Sequence, residues 1–381
     1  MKGTITRRGK SSWRLKFDVG HDAGGKRKIR YLTVRGKRQD AERELAKQLN
    51  AFNDGTDVEP AKITVAEYLR QWLATADLAP KTLERYRQLS EQQIIPHLGA
   101  TTLQKLRPGQ VQEWHGNLLR QGGSKGRALS PRTVGHAHRV LHRALARAAT
   151  AEIVSRNVAS AIKPPKVESA EVQILSGDEI GTVLKKVRGH ALYPIVGLAL
   201  ATGMRRGELL GLQWGDINLD KATLKVERSV EETKAGLRLK TPKTKHGRRT
   251  ISLPPSAVEV LRDHRREQRE TRVALGLGRE AADTLLFGTP EGGMLSPDNL
   301  SRDWRRLVAA RKLPSVMFHA LRHSHASALI ASGLDVVTVS RRLGHGTPMV
   351  TLTVYAHLFE KTDLTAASAI EATLQARNRD P

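Results

Sequence analysis

Four short clusters in the C-terminal half of the chain carry side chains suited to acting on a charged ester. The first is Ala201-Thr202-Gly203-Met204-Arg205-Arg206-Gly207-Glu208-Leu209. A glycine ahead of paired arginines allows a tight turn and delivers a guanidinium at a helix start. The second, Thr241-Pro242-Lys243-Thr244-Lys245-His246-Gly247-Arg248-Arg249-Thr250, is a lysine-bearing turn between strand-like runs. The third is His319-Ala320-Leu321-Arg322-His323-Ser324-His325. The fourth is Leu343-Gly344-His345-Gly346, followed ten residues after the histidine by Tyr355-Ala356-His357. Arginine binds phosphate oxygens with fixed, permanently charged donors, lysine and histidine move protons, and tyrosine is a nucleophile. Singly, each cluster reads as ordinary structure: a solvated ion pair, a surface turn, a core histidine, a packed tyrosine.

In this order the clusters resemble the tyrosine recombinase family, the phage-integrase type of site-specific DNA recombinase. Its signature of Arg, Lys, His-x-x-Arg, His and Tyr falls on Arg205, Lys243, His319, Arg322, His345 and Tyr355. The flanking words Thr-Gly-x-Arg-x-x-Glu-Leu, Leu-Arg-His-Ser-His-Ala, Leu-Gly-His and Tyr-Ala-His match as well, and the likeness spans residues 172–360. The resemblance implies that Arg205 and Arg322 neutralise a scissile phosphate. Tyr355 attacks it, leaving a 3′-phosphotyrosyl link and a free 5′-hydroxyl. That link conserves the bond energy, so rejoining needs neither ATP nor metal, and no cofactor is expected. Lys243 becomes the acid for the leaving 5′-oxygen, with Lys245 the competing assignment. His319 assists proton transfer at the tyrosine, His345 hydrogen-bonds the phosphate, and Glu208 orients its neighbours. His323, His325 and His357 are expected to be structural.

These residues sit in a chain of 381 residues with 64 Lys+Arg against 38 Asp+Glu, a net charge of +26. Such an excess argues against an ordinary metabolic enzyme and for a polyanionic partner, nucleic acid above all. With no cysteine, a disulfide scaffold, a thiolate metal site and a cysteine nucleophile are excluded together. Met1 to Gly9 contain no apolar stretch of signal-peptide type, and Ala191 to Ala201, the most apolar segment, is too short to cross a bilayer. A soluble protein of the bacterial cytoplasm, associated with the nucleoid and not with a membrane, is expected.

The pattern predicts a mainly α fold with small β-sheets (α+β) in three parts. Residues 1–55 alternate polar and apolar side chains in runs such as Trp13–Val19 and Ile29–Val34, then turn helical from Gln39 to Ala51. This reads as a small sheet covered by a helix, and the resemblance implies that the sheet is three-stranded. Residues 1–38 alone hold 13 Lys+Arg against 2 acidic residues, and Arg14, Lys16 and Arg30 are its candidate DNA contacts. Residues 61–166 read as a helical bundle, with helices from Thr64, from Pro80 to Ile95 (stopping at Pro96), from Pro108 to Gln121 and from Arg132 to Ala149. Arg132 and Arg139 are its candidate DNA contacts. Residues 172–381 form a mixed, mostly helical domain. Its strands are expected at Thr223–Glu227, Leu237–Leu239 and Arg249–Leu253.

The resemblance implies that residues 1–55 are an arm-type DNA-binding domain, as in lambda-like integrases. Residues 61–166 then form the core-binding domain, and residues 172–381 the catalytic domain with a C-terminal tail. An integrase of a prophage or integrative mobile element follows, acting on core and arm-type attachment sites as a homo-tetramer on double-stranded DNA. An excisionase and a DNA-bending host factor are its expected partners. The segment Asp363–Ala376 is expected to be a helix that packs on a neighbouring protomer. A catalytically silent DNA-binding protein of the same architecture is the alternative from another class; a resolvase, transposase or type IB topoisomerase is the alternative within phosphotyrosyl chemistry.

Overall fold

The computed structural model describes residues 3–21, 26–53, 62–123, 126–168, 173–242 and 245–358, with short helical pieces at 367–368, 370–371 and 374–375. Most of the segment Asp363–Ala376, the side chains of Lys245 and His357, and the whole of Lys243 lie outside the described residues. The chain divides into two compact units, Met1–Glu168 and Ser169–Pro381.

In the first unit, strands β1 (Gly3–Gly9), β2 (Ser12–His21) and β3 (Arg27–Arg35) form an antiparallel sheet in that order. Alternation buries Leu15 and Phe17 against Ala41 and Leu45 of helix α1 (Arg38–Asn53). Arg14 and Lys16 point to the other face, where the Arg14 guanidinium lies 4.2 Å from the Tyr31 ring centroid. Arg30 does not join them. It pairs with Phe17 across the β2–β3 ladder, and residues directly opposite share a face. Its guanidinium therefore sits 6.0 Å from the Phe17 ring on the packed side of the sheet. With a side-chain period of two, one position decides the face.

The helical part of this unit contains α2 (Val65–Thr75), α3 (Pro80–Leu89), α4 (Ile95–Leu98), α5 (Pro108–Gln121) and α6 (Pro131–Thr150). Thr64 and Glu67 close a capping box on α2, and Ser130 caps α6 with Pro131 in its first turn. The helices pack around Val65, Leu69, Trp114, Leu118, Val140 and Leu141. The chain does not stop at Pro96 as its sequence suggests. A π-helical segment, Ser90–Ile94, joins α3 to α4, and the Ile95 amide donates to the Ser90 carbonyl five residues back. That wider turn restarts the helix with Pro96 in its first turn, where a missing N–H costs nothing. On α6, Arg132, His136, Arg139, Arg143 and Arg147 are all exposed. Their spacing of three and four makes them one basic stripe opposite the buried face.

The second unit runs α7 (Gly177–Val187), α8 (Tyr193–Thr202), α9 (Arg206–Leu210), β4 (Ile217–Asn218), β5 (Thr223–Val226), β6 (Ser229–Thr233), β7 (Gly236–Lys240), β8 (Arg249–Ser252), α10 (Pro255–Ala274), α11 (Pro297–Ala310), α12 (Ala320–Ala331), α13 (Val336–Leu343) and α14 (Pro348–Tyr355). Helix α8, apolar on all sides, is buried through Ile195, Val196, Leu198 and Ala199, and shares one core with Trp304 and Leu321. A smaller cluster joins Ala326, Ile330, Val339, Leu343 and Tyr355. No helix among the described residues is long and apolar enough to cross a membrane.

Strand β6 has no period-two apolar signal, because Glu231 and Glu232 follow Val230. It pairs nonetheless with β7, where Glu231 faces Arg238 and the two side chains form an ion pair of 2.6 Å. The lysine-bearing segment falls between β7 and β8, as expected, and those two strands belong to different sheets. Thr233 pairs with Gly236 at the β6–β7 turn, and the ladder continues to Ser229 opposite Lys240. It then resumes with Val226 opposite Arg249. Between these two ladders only Glu227 and Arg228 separate Val226 from Ser229 on the opposing side.

Candidate active site

The turn between α8 and α9 shows why the first cluster needs its glycine. Gly203 ends α8 at φ +64°, and a Cβ there would lie 2.5 Å from the His325 ring. Two residues later Arg205 occupies the N-cap of α9. Its Nη1 donates to Glu208 Oε1 at 2.8 Å, its backbone amide to Oε2 at 3.0 Å, and its Nη2 to the Gly344 carbonyl at 3.2 Å. The guanidinium is thus braced on two sides while 42% of the side chain stays exposed.

Behind it Glu208 and Arg249 form a buried pair, Nη2 to Oε2 3.0 Å, with side-chain exposures of 5% and 7%. Burial alone raises the Glu208 carboxyl, but Arg249 and Arg205 outweigh it and hold the group below the usual carboxylate range. Arg249 also donates to the Arg342 carbonyl at 2.7 Å and the Gly247 carbonyl at 3.1 Å. One side chain therefore ties Gly247 just ahead of β8, the start of α9 and the end of α13 together. Arg249 is not among the residues expected from the sequence, because its partner Glu208 lies 41 residues earlier and leaves no local signal. Gly344 closes α13 at φ +68°, where a Cβ would stand 2.7 Å from Arg249 Nη1.

Arg322 on α12 is only 4% exposed. Its Nη1 donates to the Gly203 carbonyl at 2.7 Å. Its Nη2 is buried and has no hydrogen-bond partner among the described residues. Burial, then Arg205, lower this guanidinium to about 9, with Glu208 and Tyr355 pulling the other way. A buried cation with an unused donor is costly unless an anion completes it.

His319 precedes α12 at its N-cap. Burial first, then His323, Arg322 and Arg205, depress it to about 4. His345 follows α13; its Nδ1 lies 2.8 Å from Thr351 Oγ1, and burial followed by Arg322, Arg205 and Arg249 depresses it to about 4. Both imidazoles are neutral at neutral pH. Tyr355, at the end of α14, is 2% exposed, and burial pushes its phenol up to about 12 against the pull of Arg322.

The residue in contact with the Tyr355 hydroxyl is His323, whose Nδ1 is 2.6 Å from Oη. Its expected structural role does not describe that placement. His319, expected to serve the tyrosine, instead packs its ring edge-on against His323 at 4.9 Å. The spacing held the clue, because His319, Arg322 and His323 lie three and four apart on one face of α12. His325 faces the other way and is structural: Nδ1 contacts the Leu200 carbonyl at 2.7 Å and Nε2 accepts from Arg342 at 3.1 Å.

The second unit thus brings Arg205, Glu208, His319, Arg322, His345 and Tyr355 into one cluster. Arg14, Lys16, Arg132 and Arg139 belong to the first unit.

Residues 173–362 match the Phage integrase family, and residues 64–119 match the Phage integrase, N-terminal SAM-like domain. The tyrosine recombinase XerC-like protein of Caldanaerobacter subterraneus subsp. tengcongensis is 27% identical, over 97% of this chain and 98% of its own. The integrase of Streptomyces ambofaciens is 30% identical, over 90% of this chain and 88% of its own. The structure of the Tn1549 transposon integrase in complex with transposon right end DNA shares the fold. Its TM-score is 0.66 at 21% identity, covering 81% of this chain and 99% of that one.

Proposed function

Because the chain belongs to the phage integrase family, we propose that it is a site-specific DNA recombinase that integrates a prophage or mobile element by cutting and rejoining DNA through a phosphotyrosyl link. The observation that carries this reading is the buried Arg322 with its Nη2 unpaired, beside the braced Arg205 and the Tyr355 phenol. A phosphodiester is a poor electrophile until the charge on its non-bridging oxygens is neutralised. Two guanidiniums fixed before the substrate arrives do so without reorganisation.

In this mechanism the scissile phosphate completes Arg322 and is gripped from the other side by Arg205, while His345 hydrogen-bonds a non-bridging oxygen. Tyr355 Oη attacks phosphorus, the bond to the 5′-oxygen breaks, and Lys243 protonates that oxygen as it leaves. His319 supports the tyrosine side through its contact with His323. Glu208 holds Arg205 at its N-cap position. Rejoining is the reverse reaction with a 5′-hydroxyl from a partner strand, so the energy of the broken bond is retained throughout.

We assign residues 172–381 to catalysis, 61–166 to gripping the core site through the stripe on α6, and 1–55 to arm-type sites through the face carrying Arg14 and Lys16. Strand exchange between two duplexes calls for four protomers on DNA; an excisionase and a DNA-bending host factor complete the expected assembly. The test is a suicide duplex from the end of the element, nicked beside the crossover phosphate and incubated without metal or ATP. Trapping of a covalent adduct that Tyr355→Phe abolishes is the expected result. An adduct that survives the substitution, or none on either end, refutes the proposal.

A further inference from the structure

We propose that His323 is the proton acceptor for the Tyr355 nucleophile. This assignment rests on the recombinase reading and adds a residue to its machinery. His323 Nδ1 stands 2.6 Å from Oη, within hydrogen-bond distance of the reacting atom itself. The two rings are 5.7 Å apart and inclined at 55°, so the contact is made by the edge of the imidazole and not by its face. His319 packs edge-on against the His323 ring at 4.9 Å and so limits how that ring can turn. His319 is thereby a positioning residue.

The chemistry requires such a group. Burial holds the phenol near 12, so roughly one molecule in 10⁵ is ionised at neutral pH. Burial and Arg322 keep the His323 imidazole below its ordinary value, so the ring is neutral there. Either tautomer of that ring can close the contact with the hydroxyl. The tautomer with its proton on Nε2 leaves the Nδ1 lone pair to accept from the phenol. As Oη bonds to phosphorus its proton passes to Nδ1, giving an imidazolium, while the 5′-oxygen departs with a proton from Lys243. In rejoining, the 5′-hydroxyl attacks and gives its proton back to Lys243, the phosphotyrosyl bond breaks and His323 returns its proton to Oη. No oxidant, reductant or co-reactant is needed.

The experiment compares wild type, His323→Ala and His323→Asn, each with Tyr355 as tyrosine or as 2,3,5-trifluorotyrosine, whose phenol ionises near neutrality. The readout is the rate of covalent adduct formation on the nicked duplex from the element end. Gel shifts and melting curves monitor DNA binding and folding. Asparagine keeps an acceptor oxygen close to the position of Nδ1 but cannot carry a proton away. General-base catalysis contributes about 10²–10⁴-fold, so both substitutions should slow adduct formation by about 100-fold or more. Trifluorotyrosine should return at least tenfold of the loss in both. A His323→Ala rate within threefold of wild type overturns the assignment, as does full activity of His323→Asn with no gain from the acidic phenol. In either case the wild-type adduct still forms and the recombinase reading stands. If wild type forms no adduct at all, that reading fails and His323 falls with it.

Discussion

Replacing Glu208 by glutamine tests how the arginine cluster is held. The carboxylate accepts from the Arg205 amide at 3.0 Å, from Arg205 Nη1 at 2.8 Å and from Arg249 Nη2 at 3.0 Å. Glutamine preserves shape but removes the charge and turns an amide donor toward a guanidinium. The Arg205 contact is partly exposed, so its share is that of a surface pair, below about 1 kcal/mol. The Arg249 contact is different, because both side chains are more than nine-tenths buried. Removing one partner of such a pair costs about 3–5 kcal/mol, mostly by leaving the other charge buried and alone. For a unit of this size each kcal/mol corresponds to ~2–4 °C in melting temperature. A fall of roughly 6–20 °C in the melting of the second unit is therefore expected by calorimetry of the full chain. The double variant Glu208→Leu with Arg249→Met removes both charges and should recover most of that loss, since apolar replacement of a buried pair is often neutral. Adduct formation should not recover with it, because Arg205 has lost its brace. A Glu208→Gln protein within about 1 kcal/mol of wild type refutes this reasoning, as does a double variant whose losses simply add.

Three further outcomes are expected. His138, His319, His325 and His345 are each depressed to about 4, with burial the largest cause; their unfolded forms bind a proton below about 6.5. Their contribution to stability is complete above that pH and is lost as pH falls from about 6.5 toward 4, so the urea midpoint should drop steeply from pH 7 to pH 5, and a flat profile contradicts the burial of these rings. Gly344→Ala places a Cβ on Arg249 at positive φ and should lower adduct formation at least tenfold and the melting temperature by several degrees. Gly346→Ala, which meets nothing within 4 Å, is its control, and equal behaviour of the two refutes the anchoring role of Arg249. Lys243→Ala should block cleavage of an ordinary phosphodiester yet spare a substrate with a 5′-thiolate leaving group, which needs no acid; if Lys245→Ala shows that pattern instead, the acid is Lys245.

Much of the site was legible because its chemistry is local. Gly203 and Gly344 mark two left-handed helix ends, and each delivers a functional residue within two positions. Ser130-Pro131 and Thr64 with Glu67 mark helix starts by capping, which acts within four residues of sequence. What was hidden depends on partners far apart in the chain. Arg249 acquires its meaning from Glu208, 41 residues earlier, and His323 from Tyr355, 32 residues later. Strand β6 is held by the pairing of Glu231 with Arg238, which no period-two apolar pattern announces. The π segment before Pro96 is a register change whose result, α4, packs Leu98 into the bundle core. Arg30 was a matter of phase, since counting along β3 alone does not say which face its neighbour across the ladder presents.

The central claim is that Tyr355 forms a covalent bond to DNA. Its most direct test is to digest the trapped adduct with nuclease and protease and map the modified peptide by mass spectrometry. The expected result is a 3′-linked phosphonucleotide on Tyr355, with a 5′-hydroxyl on the released strand. Attachment to any other residue, or a 5′-phosphate on the released strand, contradicts it.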